Sequence, residues 1–242
     1  MDLLLNDFFV GFIINFSLIC LFFRLPLMTK SGWINAGVLG TVLWGCLSWQ
    51  GWLSIVFYLI SGYSVTKIGY KYKSEKGLAE KRGGRRGPEN VWGSAATGLF
   101  FAILIKLNFA NLDLLKVAFA GSFSAKLGDT FGSEIGKRFG KRTYLITSFQ
   151  EVKEGTEGGI SLEGTFASFL GSLIMSFVFL NIGIISSYYQ FIIVSISGFL
   201  ATIFESLIGA IIQEKYNLSN ELVNSIQTSV GSIIAITLFV LL

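Results

Sequence analysis

Three carboxylates stand out because of where the chain puts them. Asp129 sits in the run GDTFGSEIGKRFGKR (128–142), Glu163 begins the apolar segment SLEGTFAS, and Glu205 lies inside ATIFESLIGAIIQ. An ionisable group in a membrane-spanning segment is costly, by roughly 2.5–3.5 kcal/mol on insertion scales, so it faces a partner, a cavity or a cation. Carboxylates are hard oxygen ligands, and Mg²⁺ takes one or two of them alongside substrate phosphates. Around the acids lie Ser133, Glu134, Lys137 and Arg138, then the loop Lys153-Glu154-Gly155-Thr156-Glu157-Gly158-Gly159. Glycines let successive N–H groups point inward, and such concavities hold phosphate oxygens. Metal-assisted phosphoryl transfer suits this set, because charge neutralisation and positioning matter more there than a strong base.

Each feature also has a plain structural reading. On a helix, Gly132, Ser133, Gly136 and Gly140 fall near the Asp129 face. The series Gly128, Gly132, Gly136, Gly140 admits close approach by another helix as readily as by a ligand. Glu163 serves equally as a first-turn acid favoured by the helix dipole. The glycine-rich loop serves as a flexible connection. Glu205 shares a small, polar face with Gly198, Thr202, Gly209 and Gln213.

The absence of histidine narrows the chemistry. It removes the commonest general base, the Ser-His and Cys-His dyads and HExxH zinc sites. Catalysis must rest on carboxylates, Lys, Arg, hydroxyls and backbone amides. An acceptor that is already a phosphate needs no deprotonation, so the missing base is no obstacle. No GK[ST] occurs, which excludes a Walker A loop, and the protein-kinase motifs are absent. Cys20 and Cys46 lie in apolar segments and suggest neither a disulfide framework nor a metal cluster.

The elements that must position these residues are helices in a membrane. The chain of 242 residues is 52% hydrophobic and 14% charged, with a mean hydropathy of +0.64. Apolar stretches of spanning length recur throughout, and in lipid such segments close their backbone hydrogen bonds as helices. The expectation is an all-α polytopic protein, one membrane domain over 1–242, with about eight transmembrane helices and six to eight admissible. They are placed at 5–23, at 33–66 as two short spans parted by Gln50-Gly51, at 91–106, 113–128, 162–181, 187–212 and 225–242. The segment 113–128, interrupted by Lys116, Ser122, Ser124 and Lys126, reads as interior to a bundle. The N-terminus carries Asp2 and Asp7 where a signal peptide has basic residues. Eight spans gather 17 of the 19 Lys and Arg on one side, leaving Lys106 and Lys116 opposite. The positive-inside rule then puts the basic loops in the cytoplasm and the N-terminus outside. Topology accounts for the charge, so nucleic-acid binding is not expected.

Four runs, GRRGPENVWGS (84–94), GDTFGSEIG, VKEGTEGGISLEGTFAS and FESLIGAIIQ, resemble the membrane-integral phytyl-phosphate kinases of the vitamin E (tocopherol) pathway and their prokaryotic and animal homologues. The likeness covers nearly the whole chain. The GD-x₃-S-x₂-G portion is also similar to CTP-dependent polyprenol and phytol kinases. The resemblance implies conversion of an isoprenyl monophosphate to its diphosphate, with CTP as donor and Mg²⁺ as cofactor. It matches Asp129, Ser133, Glu134 and Gly136, then Lys153, Gly155, Thr156, Glu157, Gly158 and Glu163. It further matches Arg85, Arg86 and Asn90 in the basic loop, and Glu205, Ser206, Gly209 and Gln213 late in the chain. Where the family usually has Asp this chain has Glu205, which keeps the carboxylate and moves it by one methylene. The expected assignment has Asp129, Glu205 and Glu163 holding Mg²⁺, Lys153 and residues 155–159 cradling the donor phosphates, and Arg85 and Arg86 binding the acceptor phosphate. Two rivals are an isoprenoid-alcohol kinase or lipid-phosphate cytidylyltransferase, and a transporter with Glu205 on the ion or lipid path.

Overall fold

Short polar side chains mark where the helices begin. The computed structural model describes residues 2–213 and 215–242, with helices α1 (Asp2–Phe22), α2 (Lys30–Lys67), α3 (Tyr70–Glu75), α4 (Pro88–Lys106), α5 (Leu112–Phe139), α6 (Leu162–Asn181), α7 (Tyr188–Ile208) and α8 (Asn220–Leu241). Thr29, Asn111, Ser161, Ser187 and Ser219 each accept a bond from the first free N–H groups of α2, α5, α6, α7 and α8. α4 starts instead with Pro88 in its first turn, and the Asn90 side chain accepts from the Gly87 N–H at 2.9 Å.

α2 is 38 residues long, and straight it would run about 57 Å at 1.5 Å per residue. Both of its ends nevertheless meet Arg86. The Thr29 N–H donates to the Arg86 carbonyl at 3.0 Å, and Arg86 Nη2 donates to Thr66 Oγ1 at 3.3 Å. The helix therefore folds back on itself, and the reversal lies at Leu47 and Ser48, whose backbone angles leave the helical region (Ser48 φ 54°, ψ −151°). The Trp44 and Trp52 rings, two turns apart in sequence, lie 5.7 Å apart across this hinge. Two short helices were expected here with the break at Gln50-Gly51; the hinge comes three residues earlier.

α5 is the axis. Residues 117–128 are buried without interruption, as a helix with neighbours on every side must be. Each neighbour comes close at a residue without a side chain: Gly98 of α4 against Phe123, Ser172 of α6 against Gly128, Gly198 of α7 against Ser124, and Gly231 of α8 against Gly121. Hydroxyl and amide side chains stitch these contacts. Ser124 Oγ donates toward the carbonyls of Ser172 (3.0 Å) and Val194 (3.1 Å), and Gln227 Nε2 donates to the Ala125 carbonyl at 2.8 Å. One turn before Lys126, the Phe123 ring packs with Phe119 (5.2 Å), Phe179 and Tyr58 to close the bundle interior.

By length and apolar content, α2, α6, α7 with its extension to Gln213, and α8 suffice to cross a membrane, and Asn6–Phe22 is a shorter apolar helix. Among the described residues four helices meet that measure, which does not confirm the expected count of about eight. α2 enters the tally whole, α4 opens on Pro88, Glu89 and Asn90, and α5 carries Asp113, Lys116, Lys126 and Asp129. The all-α expectation needs one addition. Between α5 and α6 the chain forms a small antiparallel sheet, β1 (Thr143–Leu145), β2 (Glu151–Val152) and β3 (Gly159–Ile160), in the order β2-β1-β3. Strands of two or three residues leave no alternation to read.

Candidate functional site

At the basic end of the bundle a polar cavity of about 790 Å³ opens between α5, α6, α7 and α8. Residues 79–86 and the sheet with its glycine loop form its roof. Just before residue 79 the chain touches the glycine loop: Lys76 Nζ lies 3.0 Å from both carboxylate oxygens of Glu154, and Gly155 (φ +80°) packs on Leu78. The Lys76 ammonium is held above its ordinary pKa by its hydrogen bond with Tyr72 and then by Glu154.

Asp129, on α5, lines the cavity nine-tenths buried. Its Oδ2 accepts from the Lys126 ammonium, three residues earlier on the same helix face, while among the described residues its Oδ1 meets the Ser133 hydroxyl at a long 3.5 Å. Lys126, 4% exposed, also donates to Asn224 Oδ1 on α8 at 2.8 Å. Glu205 faces the same cavity from the last turn of α7, with Ser206 beside it and with Asp129, Lys126 and Glu157 as charged neighbours. The small, polar face expected around it is used throughout. Gly198 meets α5, Thr202 lines the cavity, and Gly209 meets the backbone of Gly158. After Ile208 the helix widens into a π-turn over Gly209–Gln213, a feature frequent at functional sites. Gly158 (φ +73°) leaves no room for a side chain, because a Cβ there would strike Ala210 of that turn.

Arg85, Arg86, Asn90, Ser133, Glu134, Lys137 and residues 155–159 also line the cavity. Their bonds differ from a simple ligand set. Asn90 caps α4 and takes a second bond from Arg82 at 3.2 Å. Glu134, 3% exposed, is paired with the fully buried Lys73, which also donates to the Thr66 carbonyl at 3.0 Å. The 155–159 loop is partly a closed turn: the Lys153 carbonyl accepts from the N–H and the hydroxyl of Thr156.

Three expected site residues lie off the cavity wall. Lys153 is exposed on the outer side of the loop turn. Arg138 stacks over Tyr72 (4.6 Å) and Phe139 (4.7 Å). Glu163 sits in the first turn of α6, one residue before Gly164, which packs on Gly132 and Gly136 of α5. This is the first-turn position that the helix dipole favours. The glycine series on α5 thus serves helix packing against α6. The expected trio Asp129, Glu205 and Glu163 does not converge, and among the described residues no group of three or more acids or cysteines could hold a cation. Asp129 and Glu205 alone still fit Mg²⁺, which takes one or two carboxylates when phosphates supply the remaining oxygens. The sequence reading missed Lys126, Asn224 and Lys73; the spacing Lys126-x-x-Asp129 was the visible signal for the first, since i and i+3 share a face.

The pattern of the integral membrane protein family DUF92 matches residues 13–232. The chain belongs to this family. An uncharacterized membrane protein of Synechocystis is 45% identical over 212 residues, covering 87% of this chain and 82% of its own. Protein VTE6, chloroplastic, of Arabidopsis thaliana is 41% identical over 215 residues, covering 86% of this chain and 64% of VTE6. An uncharacterized membrane protein of Methanocaldococcus jannaschii is 32% identical over 213 residues, covering 88% and 86%. No solved structure matches the chain.

Proposed function

We propose that this DUF92 protein is a membrane phosphotransferase that converts an isoprenyl monophosphate to its diphosphate at the expense of a nucleoside triphosphate, CTP by resemblance. The observation that carries the reading is the cavity itself. It brings Asp129 and Glu205, the buried Lys126, Arg85 and Arg86, and a glycine loop to one polar chamber at the end of an apolar helix bundle. Similarity to VTE6 over most of the chain supports a membrane-bound function related to prenyl phosphates.

In this reading an oxygen of the acceptor monophosphate attacks the γ-phosphorus of the donor. The bond from that phosphorus to the β-phosphate oxygen breaks, and the nucleoside diphosphate leaves with that oxygen's charge. No proton has to be removed from the acceptor, which suits a site without histidine. Asp129 and Glu205 would hold Mg²⁺, whose contribution is to neutralise phosphate charge. Arg85 and Arg86 bind the acceptor phosphate, and residues 155–159 lie against the donor. Phe199 and Ile203 of α7 give the chamber an apolar side for the lipid tail. The basic end of the bundle faces the cytoplasm.

The test is a product mass. Purified protein in detergent is incubated with Mg²⁺, phytyl or geranylgeranyl monophosphate, and CTP or ATP. A lipid diphosphate is the expected product, and the nucleotide that supports it identifies the donor. A product bearing CMP, or phosphorylation of the alcohols alone, replaces this reading with one of its rivals. No product from folded protein overturns it.

A further inference from the structure

Among the described residues, Lys126 is the lysine that is both buried and part of the cavity wall. Its ammonium carries three N–H donors. Asp129 Oδ2 takes one and Asn224 Oδ1 takes another at 2.8 Å. No third acceptor is supplied by the described residues, so one donor is left for the contents of the cavity. Lys73 also has two acceptors, Glu134 and the Thr66 carbonyl, but it is wholly buried and does not line the cavity.

The second observation is Arg86. It lines the same chamber. Both are fixed from behind. Asn224 ties Lys126 to α8, while Thr66 Oγ1 holds the Arg86 guanidinium and Leu27 and Thr29 bond its backbone. Two anchored cations facing one cavity favour an anion between them. Their side chains lose little freedom on binding because that freedom is already gone.

We propose that Lys126 and Arg86 clamp one phosphate group of a substrate, with Asp129 and Asn224 aiming the lysine. The proposal deepens the phosphotransferase reading and rests on it only for whose phosphate is held: that of the lipid, where that reading puts Arg86, or that of the nucleotide, in which case Arg86 passes from the acceptor to the donor.

Binding to the purified full-length chain in detergent tests it, with CTP and geranylgeranyl monophosphate titrated separately. Lys126→Met is expected to bind one of the two at least tenfold more weakly, and the probe affected names the source. Lys126→Arg, which keeps the charge, retains most of the affinity. If Lys126→Met does not fold, because Asp129 is left without its counter-charge, Asp129→Asn is compared with Asp129→Asn/Lys126→Met. The double variant should then bind more weakly than the single one. Unchanged affinity for both probes on loss of Lys126, or no binding of either probe by the folded wild-type chain, overturns the clamp. Lys126-dependent binding without any diphosphate product keeps the clamp and removes the kinase. Normal turnover with Lys126-independent binding does the reverse.

Discussion

Asp129 has one oxygen engaged by Lys126 and one nearly free, and that asymmetry decides what its replacement should do. Asp129→Asn preserves shape and a bond acceptor for Lys126 but removes the charge. Turnover to the diphosphate should fall by on the order of 10²–10³-fold, the loss seen when one stabilising group leaves an active site, and the melting temperature should fall as well, because Lys126 stays buried without its counter-charge. An Asn variant with wild-type turnover would exclude Asp129 from the chemistry. For Lys73 and Glu134 the loss is of stability first. Breaking a buried pair from one side costs about 3–5 kcal/mol, whereas replacing both partners with apolar residues is close to neutral. Lys73→Met should therefore destabilise the protein strongly, and Lys73→Met/Glu134→Leu should recover most of the loss. If the double variant is stable yet inactive, Glu134 belongs to the site as well as to the fold. A denaturation series on the three proteins, with activity alongside, separates these roles.

At the scale of elements, the closest helix contact runs along the glycines of α5 and α6. A Cβ at Gly132 would strike Ser168 Oγ and come within 3.2 Å of the Gly164 carbonyl. Gly132→Leu should cost about 1–3 kcal/mol or more as the helices part, seen as a lower melting temperature in detergent. Because the same seam walls the cavity, turnover should fall with it. A variant of unchanged stability would mean that the two helices do not touch as described. The α2 hairpin makes a second prediction. Ser48 holds a positive φ of 54° with ψ −151°, a region that only glycine occupies without strain. Ser48→Gly should leave stability equal or higher, and Ser48→Val should lower it by roughly 1–3 kcal/mol. Equal stability of the two variants would place the reversal elsewhere.

For the whole molecule, the ends of α2, the start of α4, the end of α5 and the starts of α6 and α8 share one pole with the cavity. Asp7 meets Lys106 (3.5 Å) away from it. Single cysteines at Lys81 and at Leu112, in a chain with Cys20 and Cys46 replaced, should label from opposite faces of a sealed vesicle. Position 81 should react from the cytoplasmic face. Labelling of both from one face would break the proposed topology. Much of this plan was written in the sequence. Hydrophobic runs fixed the membrane class because lipid leaves helices as the way to close backbone bonds. The polar interruptions of 113–128 placed that segment inside the bundle, since they are costly against lipid. Asp129, Glu205, Arg85 and Arg86 were legible because a charge in an apolar chain requires a reason. Tertiary structure alone decided the rest. Whether Glu163 faces the cavity, whether the α5 glycines meet a ligand or a helix, and that Lys126 joins Asn224, 98 residues away, all depend on which helices are neighbours. Sequence periodicity assigns a residue to a face of its own helix; only packing decides what that face meets.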